Sequence, residues 1–325
     1  MTNKDKRNHT IDLLKAIAAW FVVLNHASFP GTFGQYVVAL AHFASPIFFI
    51  TAGYFAIHTT AAKTMKSIKK MCRYILFAYA LNLLRLFLLP RTPSVFSFEF
   101  WNNILSLRHL SLFVLFNESY ISGVVWFLFA MLYCYLFRLL LRRKDLIKLA
   151  YICTAVSCLI PIVTLINNNE WINVNNVWLR GIPFFAIGGY IKLYIENGKP
   201  PISRLYLLLC AFIGVTLISV AFVTNTQLWH LGTLLLSPAV YYKATQSNIK
   251  KNILCPLGYK YSFMIYILHP FVINVYDFYR PSIGLVESWI RPILIILITI
   301  LISLFYYLIK DNIKVAVRKN AWFKS

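Results

Sequence analysis

Apolar stretches of about 17–25 residues, long enough to cross a bilayer as helices, recur along the chain between short polar segments. They lie near residues 11–28, 35–57, 71–89, 122–141, 146–166, 177–195, 204–223, 228–245, 259–279 and 292–310. Within lipid a backbone must satisfy its own hydrogen bonds, and a helix does so inside one segment. The pattern therefore predicts an all-α fold, a polytopic integral membrane helical bundle of about ten transmembrane helices. Residues 1–10 and 311–325 read as tails, and 1–325 as a single membrane domain. Polar residues 1–10 run into a full-length span without a small-residue cleavage site, so the first span is expected to remain in the mature protein.

Composition agrees with the pattern, with 59% hydrophobic residues, only 13% charged and a mean hydropathy of +0.67. A formal net charge of +22 could suggest nucleic acid as a partner. Its distribution points to membrane lipid instead and excludes nucleic acid. Three of the 32 basic residues, Lys15, Arg85 and Arg180, fall inside spans away from their cytoplasmic-side ends, and 25 of the other 29 fall in the loops of one side together with the helix ends that border them. That side holds Lys63, Lys66, Lys69, Lys70 and Arg73, whereas the other holds Arg91, Arg108, Arg280 and Arg291. By the positive-inside rule both termini are cytoplasmic. The six cysteines are scattered without a C-x-x-C pair, which suggests apolar filling rather than a metal site or disulfide framework.

Two external connections differ from the short loops. Pro90 to Ile121 is long, and its apolar part from Ile104 to Phe116 is short for a span; it could lie on the membrane and cover an external opening. Asn167 to Asn176 reads as a plain loop. No internal repeat of the kind found in many transporters is visible.

Ionisable groups inside membrane helices are costly and usually face a protein interior or polar cavity. Lys15 and His26 lie eleven residues apart in the first span, close to three helical turns, so they share a face about 16 Å apart along the axis. Asp12, three residues before Lys15, is the natural partner to hold that lysine charged. Arg85 and Arg180 occupy the outer parts of their spans, where Glu118 or an anionic acceptor could pair with them. His269 lies as deep in the ninth span as His26 does in the first, which would let the two meet. His42, His58, His109 and His230 lie near span ends without an evident partner.

Four segments resemble the membrane-bound acyltransferase family 3. Ile11-Asp12-Leu13-Leu14-Lys15-Ala16-Ile17-Ala18, followed by His26, is similar to the family's first-span pattern of a basic residue, ten residues and histidine. Ser45 to Phe55 (SPIFFITAGYF) is similar to P-x-F-F-x-x-S-G-Y, with Ala52 where serine is common. Val125-Trp126-Phe127-Leu128 is similar to W-F-L, and Tyr261 to Pro270 (YSFMIYILHP) to S-x-x-I-Y-L-x-H. The four occur in the family's order from about Ile11 to Phe305.

The resemblance implies transfer of an acyl group, most often acetyl, from acetyl-CoA or another acyl-CoA to a hydroxyl acceptor on an envelope glycan or related molecule. It implies that His26 is the catalytic histidine. Neutral imidazole suits removal of a hydroxyl proton near neutral pH, or it could itself carry the acyl group; the sequence leaves both open. Lys15 stands where arginine is usual, which keeps a charge but loses a planar fork. Lys70-Met71-Cys72-Arg73 resembles the family's R-x-x-R, so Lys70 and Arg73, with Lys69 beside them, would meet the phosphates of the coenzyme. Trp126 and His269 would support the acceptor or donor. No permanently bound cofactor or metal is implied, and the acyl-CoA is a substrate. A separate extracytoplasmic transferase could complete the reaction. The expected location is a bacterial plasma membrane. A transporter or polysaccharide exporter, and a sensing domain without turnover, are the competing classes.

Overall fold

The computed structural model describes residues 7–89, 101–102, 105–118, 124–141, 143–167, 173–280 and 284–322, with side chains for all of these except 164–167 and 314–322. Every regular element among the described residues is helical. In chain order the helices are α1 (His9–His26), α2 (Gly31–Ala41), α3 (Ala44–Ala56), α4 (Ala61–Leu88), α5 (Leu107–Phe116), α6 (Trp126–Leu140) and α7 (Arg143–Asn167). A π-helical turn, Val177–Gly181, leads into α8 (Ile182–Glu196), followed by α9 (Arg204–Thr224) and α10 (Leu228–Thr245). A second π-helical turn, Leu257–Tyr261, leads into α11 (Ser262–Tyr279), and α12 (Leu285–Trp322) follows. The last helix thus continues through residues 311–322.

A helix occupies each of the ten apolar stretches, but five segments among the described residues are long and apolar enough to cross a membrane: Gly31–Ala56, Ala61–Leu88, Arg143–Val163, Arg204–Thr224 and Leu285–Ile313. The helix at the first expected span, α1, carries Asp12, Lys15, Asn25 and His26 and is largely enclosed by other elements. The outer helices have the opposite character. α9 exposes Leu205, Leu208, Phe212 and Val223, and α12 exposes Leu301, Phe305 and Leu308. Apolar surfaces of this kind suit lipid, and the chain reads as a membrane protein.

α1 forms the centre. Its N-cap Asn8 accepts hydrogen bonds from the Thr10 and Ile11 N–H groups at 2.9 and 3.1 Å, and donates its amide to the Ser247 carbonyl at 2.9 Å, joining α1 to the end of α10. The second π-turn presses against it: a Cβ on Gly258 would lie 1.7 Å from the Asp12 carbonyl oxygen. α3 and α8 cross equally closely, and a Cβ on Gly53 would lie 1.7 Å from the Phe185 carbonyl oxygen. The glycine of the SPIFFITAGYF segment is therefore a helix-crossing residue.

The expected span 35–57 is broken at His42 and Phe43, between α2 and α3. Pro46 follows in the first turn of α3, where proline is tolerated. It has no N–H for the His42 carbonyl four residues earlier. Pro183, near the start of α8, leaves the Leu179 carbonyl in the same condition. Both carbonyls find side-chain donors at the site.

Candidate functional site

A cavity of about 250 Å³ opens at the C-terminal end of α1. Among its lining residues are His26, Trp126, Arg180 and Glu118, drawn from four separate parts of the sequence. His26 is the last residue of α1 and is exposed to this space. Behind it lies the His269 ring, stacked at a centroid separation of 5.2 Å and an interplanar angle of 28°. His269 is fully buried, and among the described residues neither of its ring nitrogens has a hydrogen-bond partner. Asn25 approaches His26 Nε2 at 3.5 Å.

Arg180 is the largest fully buried side chain, at 2% exposure. It sits in the first π-turn, a rare element that concentrates at functional sites. Its guanidinium donates to Asn175 Oδ1 at 2.5 Å and to the His42 carbonyl left free by Pro46, and lies 5.1 Å from the centroid of the Trp229 ring. Nε is buried without a partner. Among the described residues no carboxylate lies within ion-pair distance of Arg180, although Glu118 lines the same cavity. The π-turn is fixed from outside. Ser157 donates to the Leu179 carbonyl at 2.7 Å and meets His230 Nε2 at 2.5 Å, while buried Asn117 accepts from the Val177 N–H at 2.7 Å and donates to the Trp126 carbonyl at 2.9 Å. Asn117 caps α5 at φ 52°, a left-handed conformation that asparagine tolerates.

A second cavity, of about 210 Å³, lies at the other end of α1 and includes Lys15, Phe48, Thr51, Tyr135 and Phe263. Lys70 extends over the Phe263 ring, with Nζ 5.8 Å from its centroid, and over Tyr74 at 5.5 Å. It is within electrostatic reach of Lys15, Arg73 and Lys310. Lys69 and Arg73 are exposed along α4, and Arg73 Nε turns back to the Lys69 carbonyl at 3.3 Å.

The two cavities are separated by one aromatic layer. Phe127, 1% exposed, packs at centroid distances of 6.0 Å from Phe48 and 6.4 Å from Phe263, which line the Lys15 cavity. It also lies 4.8 Å from Tyr266, which lines the His26 cavity and donates its hydroxyl to the Val124 carbonyl.

Several expectations are corrected by this geometry. Asp12 makes no ion-pair contact with Lys15, although it lies within electrostatic reach of it; its carboxylate accepts both Arg7 Nε at 2.5 Å and Arg7 Nη2 at 3.0 Å, because Arg7, just before the helix, can present a fork to the buried first turn. That bond holds the Arg7 guanidinium more firmly charged than usual. Arg85 lies apart from the cavity and donates to Asn274 at 3.2 Å. The segment ending at Asn176 is not a plain loop: Asn175 holds Arg180 and Asn176 caps the π-turn, while 168–172 lie outside the described residues. Of the segment from Pro90 to Ile121, expected to cover an external opening, residues 90–100, 103–104 and 119–121 lie outside the described residues too. The four histidines without an evident partner have them: His58 meets Glu196 at 2.6 Å, His109 meets Ser106 at 2.8 Å, His230 meets Ser157, and His42 stacks on Trp229 at 4.2 Å.

Tyr266 and Asn175 are among the cavity residues that the sequence did not single out, and His42 is one to which it gave no role. Tyr266 was within reach, since it precedes His269 by three residues and so shares its helix face. For His42 the signal was Pro46, four residues on.

An acyltransferase-domain family model matches residues 8–308, nearly the whole chain and every element of both cavities. Neither a curated protein nor a solved structure matches it. The segments that carry His26, Trp126 and His269 converge on one cavity within the matched range, and the chain belongs to acyltransferase family 3.

Proposed function

We propose that this acyltransferase is an integral-membrane O-acyltransferase that moves an acyl group, acetyl by preference, from acyl-CoA to a hydroxyl of an envelope glycan or related acceptor. The observation that carries the reading is the convergence of His26, Arg180 and Trp126 on one cavity, with a separate cationic cavity at Lys15. In this reading the chain crosses a bacterial plasma membrane about ten times with both termini in the cytoplasm. The Lys15 end then faces the cytoplasmic donor and the His26 end the acceptor.

Lys15 and Lys70, with Arg73 and Lys69 on the approach, attract the phosphates of the coenzyme. The thioester reaches His26 past Phe127, across the layer between the cavities. Neutral His26 takes the proton of the acceptor hydroxyl as its oxygen attacks the carbonyl carbon. The tetrahedral oxyanion collapses, the C–S bond breaks, and the imidazolium returns the proton to the departing thiolate. The products are the O-acyl ester and free coenzyme A thiol. His269, stacked on His26, positions the ring. Among the described residues Arg180 is the one arginine or lysine lining the His26 cavity, and it stabilises negative charge on the oxyanion or acceptor. Trp126 offers a face for a sugar ring, and Glu118 accepts acceptor hydroxyls. The ester leaves on the acceptor or passes to a separate extracytoplasmic transferase.

Radiolabelled acetyl-CoA supplied to vesicles carrying the protein separates this reading from a carrier. Covalent label in the glycan fraction supports the enzyme, whereas movement of unmodified glycan without incorporation overturns it. Label retained on His26 when acceptor is withheld reassigns the histidine from base to acyl carrier.

A further inference from the structure

A further cavity lies away from both ends of α1. A groove of about 610 Å³ runs between α7 and α8, with Gly53 and Phe185 of the α3–α8 crossing among its lining residues. Its size falls within the range of about 300–1,000 Å³ typical of ligand pockets. The wall is apolar for most of its length. Among the described residues its charged lining residues are Arg138, Arg143 and Lys199, and no carboxylate lines it. Arg138 is committed to the fold, since it donates to the Ala56, Ile57 and Thr59 carbonyls at 3.0 to 3.3 Å and so closes the end of α3. Arg143 and Lys199 are different. Both are exposed, and among the described residues neither has a carboxylate within ion-pair distance. The nearby Glu196 is already held by His58 at 2.6 Å and Lys192 at 3.2 Å. Tyr151 and Tyr190, 67% and 61% exposed, flank the groove with aromatic rings carrying a polar tip, the chemistry enriched where headgroups meet hydrocarbon.

We propose that this groove binds an anionic phospholipid, whose phosphate meets Arg143 and Lys199 and whose acyl chain lies along the apolar wall toward Gly53 and Phe185. A free anion would leave the apolar wall uncovered. A zwitterionic lipid would bring its own cation to two uncompensated ones. The lipid tail would lie against the α3–α8 crossing, making it part of the packing of a helix that also lines the Lys15 cavity. The inference stands independently of the acyl-transfer reading.

Native mass spectrometry of the purified full chain, titrated with phosphatidylglycerol and phosphatidylcholine of the same acyl composition, tests it. Each cation near the headgroup contributes about 1 kcal/mol, so phosphatidylglycerol is expected to bind at least about tenfold more tightly. Arg143→Gln should reduce that preference roughly fivefold, leaving the part due to Lys199. Lys144→Gln removes the same charge one residue away, outside the groove lining, and should leave it intact. Shortening the acyl chains should weaken binding at constant headgroup. Equal affinity for the two lipids, equal effects of the two substitutions, or binding indifferent to chain length would each overturn the proposal. Both substitutions are at exposed positions near the start of α7, where a neutral residue is compatible with the helix.

Discussion

Replacing Arg180 with methionine is the perturbation that best separates a residue serving the reaction from one serving the fold. Two opposed terms set the effect on stability. The His42 carbonyl, which Pro46 cannot satisfy, would lose its donor, and an unsatisfied buried acceptor costs about 1–3 kcal/mol. The contact over Trp229 would add a loss of about 0.5–2 kcal/mol. Against these, the guanidinium is 2% exposed with no carboxylate paired to it among the described residues, and releasing a buried charge recovers several kcal/mol. Asn175 is half-buried and can turn toward water. The net change should stay within about 2 kcal/mol, a few degrees in the unfolding midpoint. Activity should respond very differently. A hydrogen bond from a charged donor contributes about 1.5–3 kcal/mol, so losing it where negative charge develops lowers the transfer rate by roughly 10- to 150-fold. Thermal unfolding of the detergent-solubilised protein and the initial rate of acyl transfer in vesicles measure the two halves. Full activity with a large loss of stability would refute the reasoning and make Arg180 a structural residue. Arg180→Lys should fall between, since it restores the charge but not the fork.

Other substitutions address separate parts of the account. Gly53→Ala places a Cβ against the backbone oxygen of Phe185, which cannot turn aside, so α3 and α8 must separate; a loss of about 1–3 kcal/mol or more is expected in thermal unfolding. Asp12→Asn should cost about 1–2 kcal/mol, at the lower end for charged hydrogen bonds because the Arg7 side chain is 51% exposed. Arg7→Ala should cost no more, and the double variant should show clear non-additivity in a double-mutant cycle. Lys70→Ala should raise the KM for acyl-CoA several-fold at nearly constant kcat; an unchanged donor KM in steady-state kinetics would remove Lys70 from the donor site.

What was legible in the sequence was set by local signals. The apolar stretches located the helices because lipid-compatible length and composition are properties of single segments. The Lys15–His26 spacing gave an axis with two chemically distinct ends because helical rise is fixed, and each residue lines its own cavity. Equal depth in their spans let His269 and His26 meet, and the structure adds that the two rings stack. Ion-pair partners were less legible. Asp12 prefers Arg7 over Lys15 because a flexible residue before the helix can offer two donors to one carboxylate. The role of His42 depended on its main-chain carbonyl, which a search for ionisable side chains overlooks. The prolines were the available clue: each frees the carbonyl four residues earlier, and Arg180 and Ser157 occupy the two that matter. The aromatic partition at Phe127 was not legible, since W-F-L marks a helix without saying which cavities the phenylalanine divides.

The central claim is that His26 performs the proton transfer of acyl transfer, and His26→Ala tests it most directly. The side chain is exposed to the cavity, with a 3.5 Å approach from Asn25 and one stacking contact to His269, so its removal should leave the unfolding midpoint nearly unchanged. Loss of a positioned general base lowers a rate by about 10²- to 10⁴-fold. Incorporation of radiolabelled acetyl from acetyl-CoA into acceptor, measured in vesicles with equal amounts of folded wild-type and His26→Ala protein, should therefore fall at least about a hundredfold. Incorporation at the wild-type rate would contradict the account.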